Sequence, residues 1–556
     1  MSSSMQPTVM TCLLSAFGTH RTRSLSMALI RGPSTGSSML LSQPTFEKIQ
    51  APYLRKRRTD SQSLDIYGKY TTTLLPIYNS AHAPLGMVQP NVLLVVLDSV
   101  RAKNVGHLGY PRDTTPRLDE FAERATTYVN ARSPGIHSIS SHVSFFTGLE
   151  VAEHRATTHT AHIDSGHTIW EHLADEGYRT GLFTPNAIVA ESSNLSMFFE
   201  TVVGPKRQEL VFPEALGPAQ VAGDPSYIEY LKTCFRSDSP IKGIVNGISR
   251  ELGNTTGVYE PTREHAGEYI KSFQEWRDSG SGPWAACLNL MDAHYPYLSQ
   301  ESFTKWGNET LRELHREAMG GPLPTQYLGD RPFWELEATK SLYDDCIRQV
   351  DAYFGKLVDE LNRIGELEDT FIVITSDHGE GFGEYSCLND NVRLIDHSWG
   401  IGEEVAHVPL VVKPPGEFTE DTITEPATLT EFPNAVKDCL KGQQGSFTKR
   451  SGDVITTSYR IQHPGDELPL PADEREPYFG PWHSVCRQEQ EQIVIDAVRR
   501  EDQVRYFPTC GQKPTGADRE HVDSVLENLS LAGITQGSDT VTSEVKQRLH
   551  ELGYTA

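Results

Sequence analysis

Three short stretches of this chain carry residues whose types and spacing could hold a cation and attack an ester. Asp98 closes the apolar run NVLLVVLD, and Asp377 and His378 sit in SDHGE directly after a second apolar run, TFIVIT. Hard divalent cations favour oxygen ligands, so two carboxylates, one imidazole and an alcohol suit Ca2+, Mg2+ or Mn2+ better than a soft metal. Asp98 alone could do no more than cap the segment after it. Adjacent Asp and His on a tight Gly turn are more specific, because both can be aimed into one site. Between them lies RSPGIHSISSHVSFFTGLE, where Ser138 can open a helix running to Thr147. Free N–H groups in that first turn favour an anion such as sulfate or phosphate. Without context Ser138 reads equally well as an ordinary helix cap.

These residues need elements that bring them together. NVLLVVL, AACLNLM, TFIVIT and VPLVV are apolar runs of strand length, as expected for strands buried on both faces of a sheet. Between the second and third, Tyr343, Ile347, Val350, Phe354, Leu357, Leu361 and Ile364 recur at three- and four-residue steps with Gly365 as a stop, which predicts a helix. Alternating strands and helices imply an α/β sandwich with a mostly parallel central sheet. Three strands end in polar clusters, Asp98-Ser99, Asp292-Ala293-His294 and Asp377-His378-Gly379-Glu380. Ligands of open α/β sheets bind outside the carboxyl ends of strands, so all three predict one crevice.

With those blocks in view the chain resembles the sulfatase family of the alkaline-phosphatase superfamily. NVLLVVLDS is similar to the family's opening metal-ligand strand, and SISSHVSFFTG stands in the place of its signature C/S-x-P-S-R-x-x-x-x-T-G. NLMDAHYPY resembles the segment with a catalytic His, TFIVITSDHGEGFGE the second metal-ligand strand, and GEEVAHVPLVVKPPG the family's E-x-x-x-x-V-P-L-I-V-x-x-P-G block. The resemblance spans about 90 to 416 and implies an alkaline-phosphatase-like sandwich with one divalent cation, Ca2+ first and Mg2+ or Mn2+ after it. It further implies metal ligands at Asp98, Ser99, Ser138, Asp377 and His378, with Ser99 standing where a second Asp is usual. Ser138 takes the nucleophile position, which in the family is oxidised to formylglycine, and His294 the position of the His that meets the ester or protonates the leaving oxygen. Ser140 replaces the signature Pro and His142 its Arg, so His142 is expected to steady charge in that Arg's place. Thr184, Pro185 and Asn186 stand where a GKWH-type lysine is expected, and His397 lies near the position of a second substrate-binding lysine. The implied reaction is hydrolysis of a sulfate ester of a small molecule or glycan. Two alternatives remain at this point: a phosphomonoesterase or phosphodiesterase using unmodified Ser138, and a catalytically degraded protein that only binds glycans.

Composition bounds the rest. At 556 residues there is room for a catalytic domain, expected over 88–418, and a small C-terminal α+β domain over 420–556 ending in a helix at SEVKQRLHELGY. A net charge of -24 argues against nucleic-acid partners. No apolar run reaches the roughly 20 residues of a membrane helix, so no membrane partner is expected. The eight cysteines show neither CxxC nor regular spacing, and no positive segment precedes the mildly apolar stretch Thr8 to Phe17, which together predict a cytoplasmic location. Residues 1–60 are Ser-rich and basic, with no acidic residue before Glu47, and read as a disordered arm. Deleting them is expected to leave turnover and melting temperature nearly unchanged, because such a segment buries little apolar surface. Insoluble protein on truncation would show that the arm belongs to the fold.

Overall fold

An eight-stranded sheet carries the site. Its strands are β1 (Asn91–Leu97), β2 (Thr126–Tyr128), β3 (Arg179–Phe183), β4 (Thr201–Val203), β5 (Trp284–Leu290), β6 (Thr370–Thr375), β7 (Leu410–Lys413) and β8 (Asp421–Ile423), in the order β8-β2-β7-β6-β1-β5-β3-β4. All neighbouring pairs are parallel except those of β7, which runs antiparallel to β6 and β2. The antiparallel return needs no crossover helix, and none lies between β6 and β7 beyond the short helix Glu403–Ala406. This computed structural model describes residues 89–206, 215, 227–237, 239–247, 264–319, 321–459, 468–508 and 516–537. The expected arm over 1–60 and the expected helix over 543–554 lie outside the described residues.

Alternation along β1 decides which way Asp98 faces. Leu93, Val95 and Leu97 enter one core layer, while Val92, Leu94 and Val96 enter the other. Full burial of each is worth about 1.5–3 kcal/mol, so the register is strongly held; a slip of one residue would turn Asp98 to the wrong layer. The helix α1 (Ser138–Thr147) packs on the Val96 side through Ile139, Val143, Phe145 and Phe146. Its first turn therefore lies over the carboxyl edge of β1. The helices α2 (Ala266–Asp278) and α3 (Phe333–Ile364) cover the opposite layer through Phe273, Tyr343, Ile347, Val350 and Phe354. Gly365 ends α3 in the left-handed region, with φ +81°. The helix begins at Phe333, ahead of the apolar steps that start at Tyr343, because the polar segment ELEATKS dilutes the pattern while Leu336, Thr339 and Leu342 are still buried.

A second sheet follows, formed by β9 (Val454–Ser458), β10 (Trp482–Glu489), β11 (Gln492–Arg499) and β12 (Asp502–Tyr506) as an antiparallel meander. The helix Arg519–Glu527 packs Val522 against Val485 and Val498 of this sheet. β8 pairs with β2 and the helix Phe432–Leu440 joins the core beneath α1, so the chain just past 420 still packs with the eight-stranded sheet. β9 braces the loop that leads into α1: Thr456 Oγ1 donates to the Ser133 carbonyl at 2.8 Å and Thr457 N to that of Pro134 at 2.9 Å. Among the described residues no helix is long and apolar enough to cross a membrane.

Candidate metal and ester site

The carboxyl ends of β1, β3, β5 and β6 and the first turn of α1 meet in one buried crevice. Asp98 leaves β1 into Ser99, whose φ of +65° lies in the left-handed region, at a cost on the order of 1–2 kcal/mol for a residue with a Cβ. Three contacts hold that strain: Ser99 N donates to Asp377 Oδ1 at 3.3 Å, its carbonyl accepts Tyr343 OH at 2.8 Å, and its hydroxyl donates to Asp98 Oδ1 at 3.2 Å. The Ser99 hydroxyl, expected among the metal ligands, is thus the partner of Asp98.

Beyond β6 the backbone turns tightly. Ser376 Oγ donates to the His378 carbonyl at 2.7 Å and accepts Val100 N at 3.0 Å. A Cβ at Gly379 would meet the Glu404 carbonyl oxygen at 2.1 Å, so only glycine fits that turn. His378 Nδ1 donates to the Gly379 carbonyl at 2.9 Å. That bond leaves Nε2 as an acceptor, the state in which imidazole binds a metal. Nε2 lies 3.5 Å from Asp377 Oδ2 and 3.9 Å from Asp98 Oδ1.

Asp98, Asp377 and His378 present ligand atoms within 4.8 Å of one another, all buried. Asp377 Oδ2 accepts no hydrogen bond. Burial and the charge of Asp98 push the Asp377 carboxyl up to about 6. Burial also opposes ionisation of Asp98, but His294, His378, His142 and a hydrogen bond from Asn186 outweigh it and hold that group below the ordinary value. Two buried carboxylates this close, one with an unpartnered oxygen, fit a divalent cation, which would relieve both costs.

Ser138 opens α1 with its Oγ 3.5 Å from His378 Nε2. Asn186 Nδ2 donates to Ser138 Oγ at 3.2 Å and to Asp98 Oδ2 at 3.0 Å. Its Oδ1 accepts Ile188 N at 2.9 Å and Val189 N at 3.3 Å, so the amide can be placed only one way round. Sequence reasoning noticed Asn186 only as part of the segment lacking a lysine. Its position just past the carboxyl end of β3, a fourth strand delivering a polar group to the crevice, was the available signal.

Four imidazoles line the rest of the crevice. His294 Nδ1 donates to the Tyr295 carbonyl at 2.6 Å, and its ring centroid lies 5.2 Å from that of His397. The His397 ring centroid lies 4.1 Å from that of His378, with the two rings tilted by 30°. Burial opposes its protonation, yet Asp396, with Oδ1 2.5 Å from His397 Nδ1, raises it well above the ordinary histidine value. His397 is therefore a cation beside the site, where the sequence suggested a stand-in for lysine. His137, 6.0 Å from His397 by ring centroids, was missed because a histidine before a candidate nucleophile carries no pattern. His142 departs from expectation. It is fully buried against Phe145 and Phe146, Nδ1 donates to the Ser138 carbonyl one turn back at 2.8 Å, and burial lowers its proton affinity. A neutral ring that holds the first turn of α1 cannot replace the charge of an arginine.

The chain is similar to several known proteins. The multifunctional alkaline phosphatase superfamily protein PehA of Trinickia caryophylli is 22% identical over 60% of this chain and 69% of its own. Arylsulfatase K of Bos taurus is 22% identical over 59% of this chain and 58% of its own length, and choline-sulfatase of Rhizobium meliloti is 23% identical over 59% and 63%. This chain thus spans less than two thirds of either sulfatase. Among solved structures, the phosphonate monoester hydrolase from Silicibacter pomeroyi aligns with a TM-score of 0.49 at 16% identity, covering 81% of this chain and 99% of that one. The sulfatase family model matches residues 90–442, which run from the strand that carries Asp98 to just beyond the helix beneath α1. With that match over more than half of its length, the chain belongs to the sulfatase family.

Proposed function

We propose that this protein hydrolyses a sulfate ester of a small molecule or glycan, with Ser138 as the attacking residue. The observation that carries the reading is the position of Ser138 Oγ, at a helix N-terminus and between Asn186 Nδ2 and His378 Nε2. Asp98, Asp377 and His378 would hold a divalent cation, Ca2+ by preference for hard oxygen donors and Mg2+ or Mn2+ otherwise, which supplies polarisation of the ester oxygens and acidifies the attacking hydroxyl. The remaining steps belong to the chain itself. The N–H groups of the first turn of α1 receive the ester anion. The protonated His397 adds the positive charge that Thr184, Pro185 and Asn186 do not supply. His294, with its Nδ1–H fixed on the Tyr295 carbonyl, hands a proton to the leaving oxygen from Nε2 as the imidazolium and is left as the neutral ring. Burial of the whole set keeps bulk water from the attacking oxygen and strengthens each of these interactions. A cytoplasmic setting is part of the proposal, supported by six described cysteines that are all free thiols.

One observation favours a second reading, transfer from a phosphate ester to unmodified Ser138. Ser140 and His142 break the signature around the nucleophile, and His142 is too buried to supply charge. The two readings separate on the peptide containing Ser138. Conversion to formylglycine removes two hydrogens, about 2 Da, and gives a hydrate whose second hydroxyl lets the sulfated intermediate collapse, whereas an unmodified Ser ester must itself be hydrolysed. Because the signature is broken, the modification is expected to be absent or partial in a foreign host, and formylglycine at 138 found by mass spectrometry together with turnover of an aryl sulfate decides for the sulfate reading. Intact Ser138 with much faster turnover of the matching aryl phosphate or phosphodiester would replace sulfate with phosphate.

Asn186→Ala is expected to lower kcat/KM about 10- to 100-fold, because hydrogen bonds to charged groups contribute about 1.5–3 kcal/mol. Cation stoichiometry should not change, since Asn186 donates to the outer oxygen of Asp98 and ligates nothing. Steady-state kinetics with metal analysis checks both, and unchanged kinetics would remove Asn186 from the site.

A further inference from the structure

The hairpin that follows the candidate site gathers a second group of ligand atoms. Gly381–Tyr385 pairs with Arg393–Asp396, and Asp396 lies opposite Gly381, so Glu380 and His397 emerge side by side from adjoining strand ends. Glu380, Asp396 and His397 offer two carboxylate oxygens and one imidazole nitrogen within 4.8 Å of one another. His397 Nδ1 is 2.5 Å from Asp396 Oδ1 and 3.7 Å from Glu380 Oε2. Asp396 is held at φ +56°, a strained conformation for a residue with a Cβ.

Acidic clusters alone are common. Here Glu380 is completely buried, it points into the cluster, and neither of its oxygens accepts a hydrogen bond. Burying a carboxylate in this way costs several kcal/mol unless a positive charge is placed beside it. The hydroxyls of Tyr295 and Tyr297, which feel the charges of Asp396 and Glu380, are also buried without partners. The pocket is therefore short of hydrogen bonds on several sides. His397 Nδ1, 3.7 Å from Glu380 Oε2, is already engaged with Asp396.

We propose that Glu380, Asp396 and His397 form a second divalent-cation site, distinct from that of Asp98, Asp377 and His378. One imidazole with two carboxylates suits Zn2+ or Mn2+, whose ligand distances of roughly 2.0–2.2 Å need only small side-chain shifts here. Asp396 is the member of the three that reaches solvent, with its side chain 17% exposed, which gives the ion its entry path. A cation on Nδ1 would take the place of the proton there, would itself supply the positive charge that the protonated ring supplies without it, and would leave the Nε2 N–H of His397 as a fixed donor beside the His378 ring. The second site thus acts on substrate through His397, as a positioning element.

Zn2+ is the probe. The full chain, stripped with chelator and reloaded with Zn2+ alone, is analysed for bound metal after equilibrium dialysis. Two ions per chain are expected for the wild type, one for Asp377→Asn, one for Glu380→Gln and none for the double variant. Glu380→Gln keeps the shape of the side chain, and Asp396→Asn, on the hairpin, serves as a second variant with the same expectation. One ion in the wild type and none in Asp377→Asn would overturn the second site and leave the first intact. One ion in both, lost in Glu380→Gln, would support the second site while removing the first.

Discussion

Ser138→Ala should abolish ester turnover, with kcat/KM falling about 10^4- to 10^6-fold, the range seen when a nucleophile that works with its neighbours as a unit is removed. At 1.36 kcal/mol per tenfold this is about 5–8 kcal/mol of lost transition-state stabilisation. The variant should fold normally. Ser138 is the first residue of α1, alanine is a good helix former, and the packing of Ile139, Val143 and Phe146 beneath is untouched. Turnover of an aryl ester, measured beside thermal denaturation, checks both halves. Because formylglycine and an unmodified alkoxide both need an oxygen at this position, the result does not depend on which ester is the substrate. Activity within tenfold of wild type would move the nucleophile elsewhere.

Asp377→Asn should remove the cation of the first site and with it at least about three orders of magnitude of activity, since the loss of outer hydrogen bonds alone costs a site 10- to 100-fold. His378→Ala should do the same. The stability change carries a sign that a purely structural carboxylate would not show. In the metal-free protein Asp377 is pushed from 3.8 to about 6 by burial and by Asp98. A raised carboxyl favours the protonated folded state, so stability is full below about 4 and declines as pH rises toward 6. Asparagine removes that cost. In chelator at neutral pH, Asp377→Asn should melt at or above the wild-type temperature; with saturating cation the order should reverse, because only the wild type gains binding free energy. A proton competes for the same oxygen, so cation affinity in the wild type should fall as pH drops through about 6. Titration of affinity against pH, with melting in both conditions, tests the set, and a variant that melts far below wild type in chelator would make Asp377 a structural residue.

Much of this could be read from the chain, and the reason differs from residue to residue. NVLLVVLD and TFIVITSDHGE are local patterns: an apolar run specifies a doubly buried strand, and the polar residue at its end is carried to the sheet edge with it. Ser138 was legible in another way: its segment can open a helix, and the resemblance of SISSHVSFFTG to the sulfatase signature marked that residue out from an ordinary cap. The antiparallel direction of β7 was not legible, because an apolar run has no direction. Nor was the N-terminal third of α3, where charged side chains mask a helix held by only a few buried residues.

Side-chain roles divided along the same line. Residue type and order alone were enough for the family and the sheet, and to nominate Asp98, Ser138, Asp377 and His378 as candidates, because each of these depends on its own neighbours in sequence. Tertiary structure decided that Ser99 would spend its hydroxyl on Asp98, that Asn186 would bridge Asp98 and Ser138, that His142 would be buried and neutral, and that His397 would be charged by Asp396. Those outcomes depend on distances between strands far apart in the chain and on how much water each group loses. Neither quantity is a property of a residue until the sheet has closed around it.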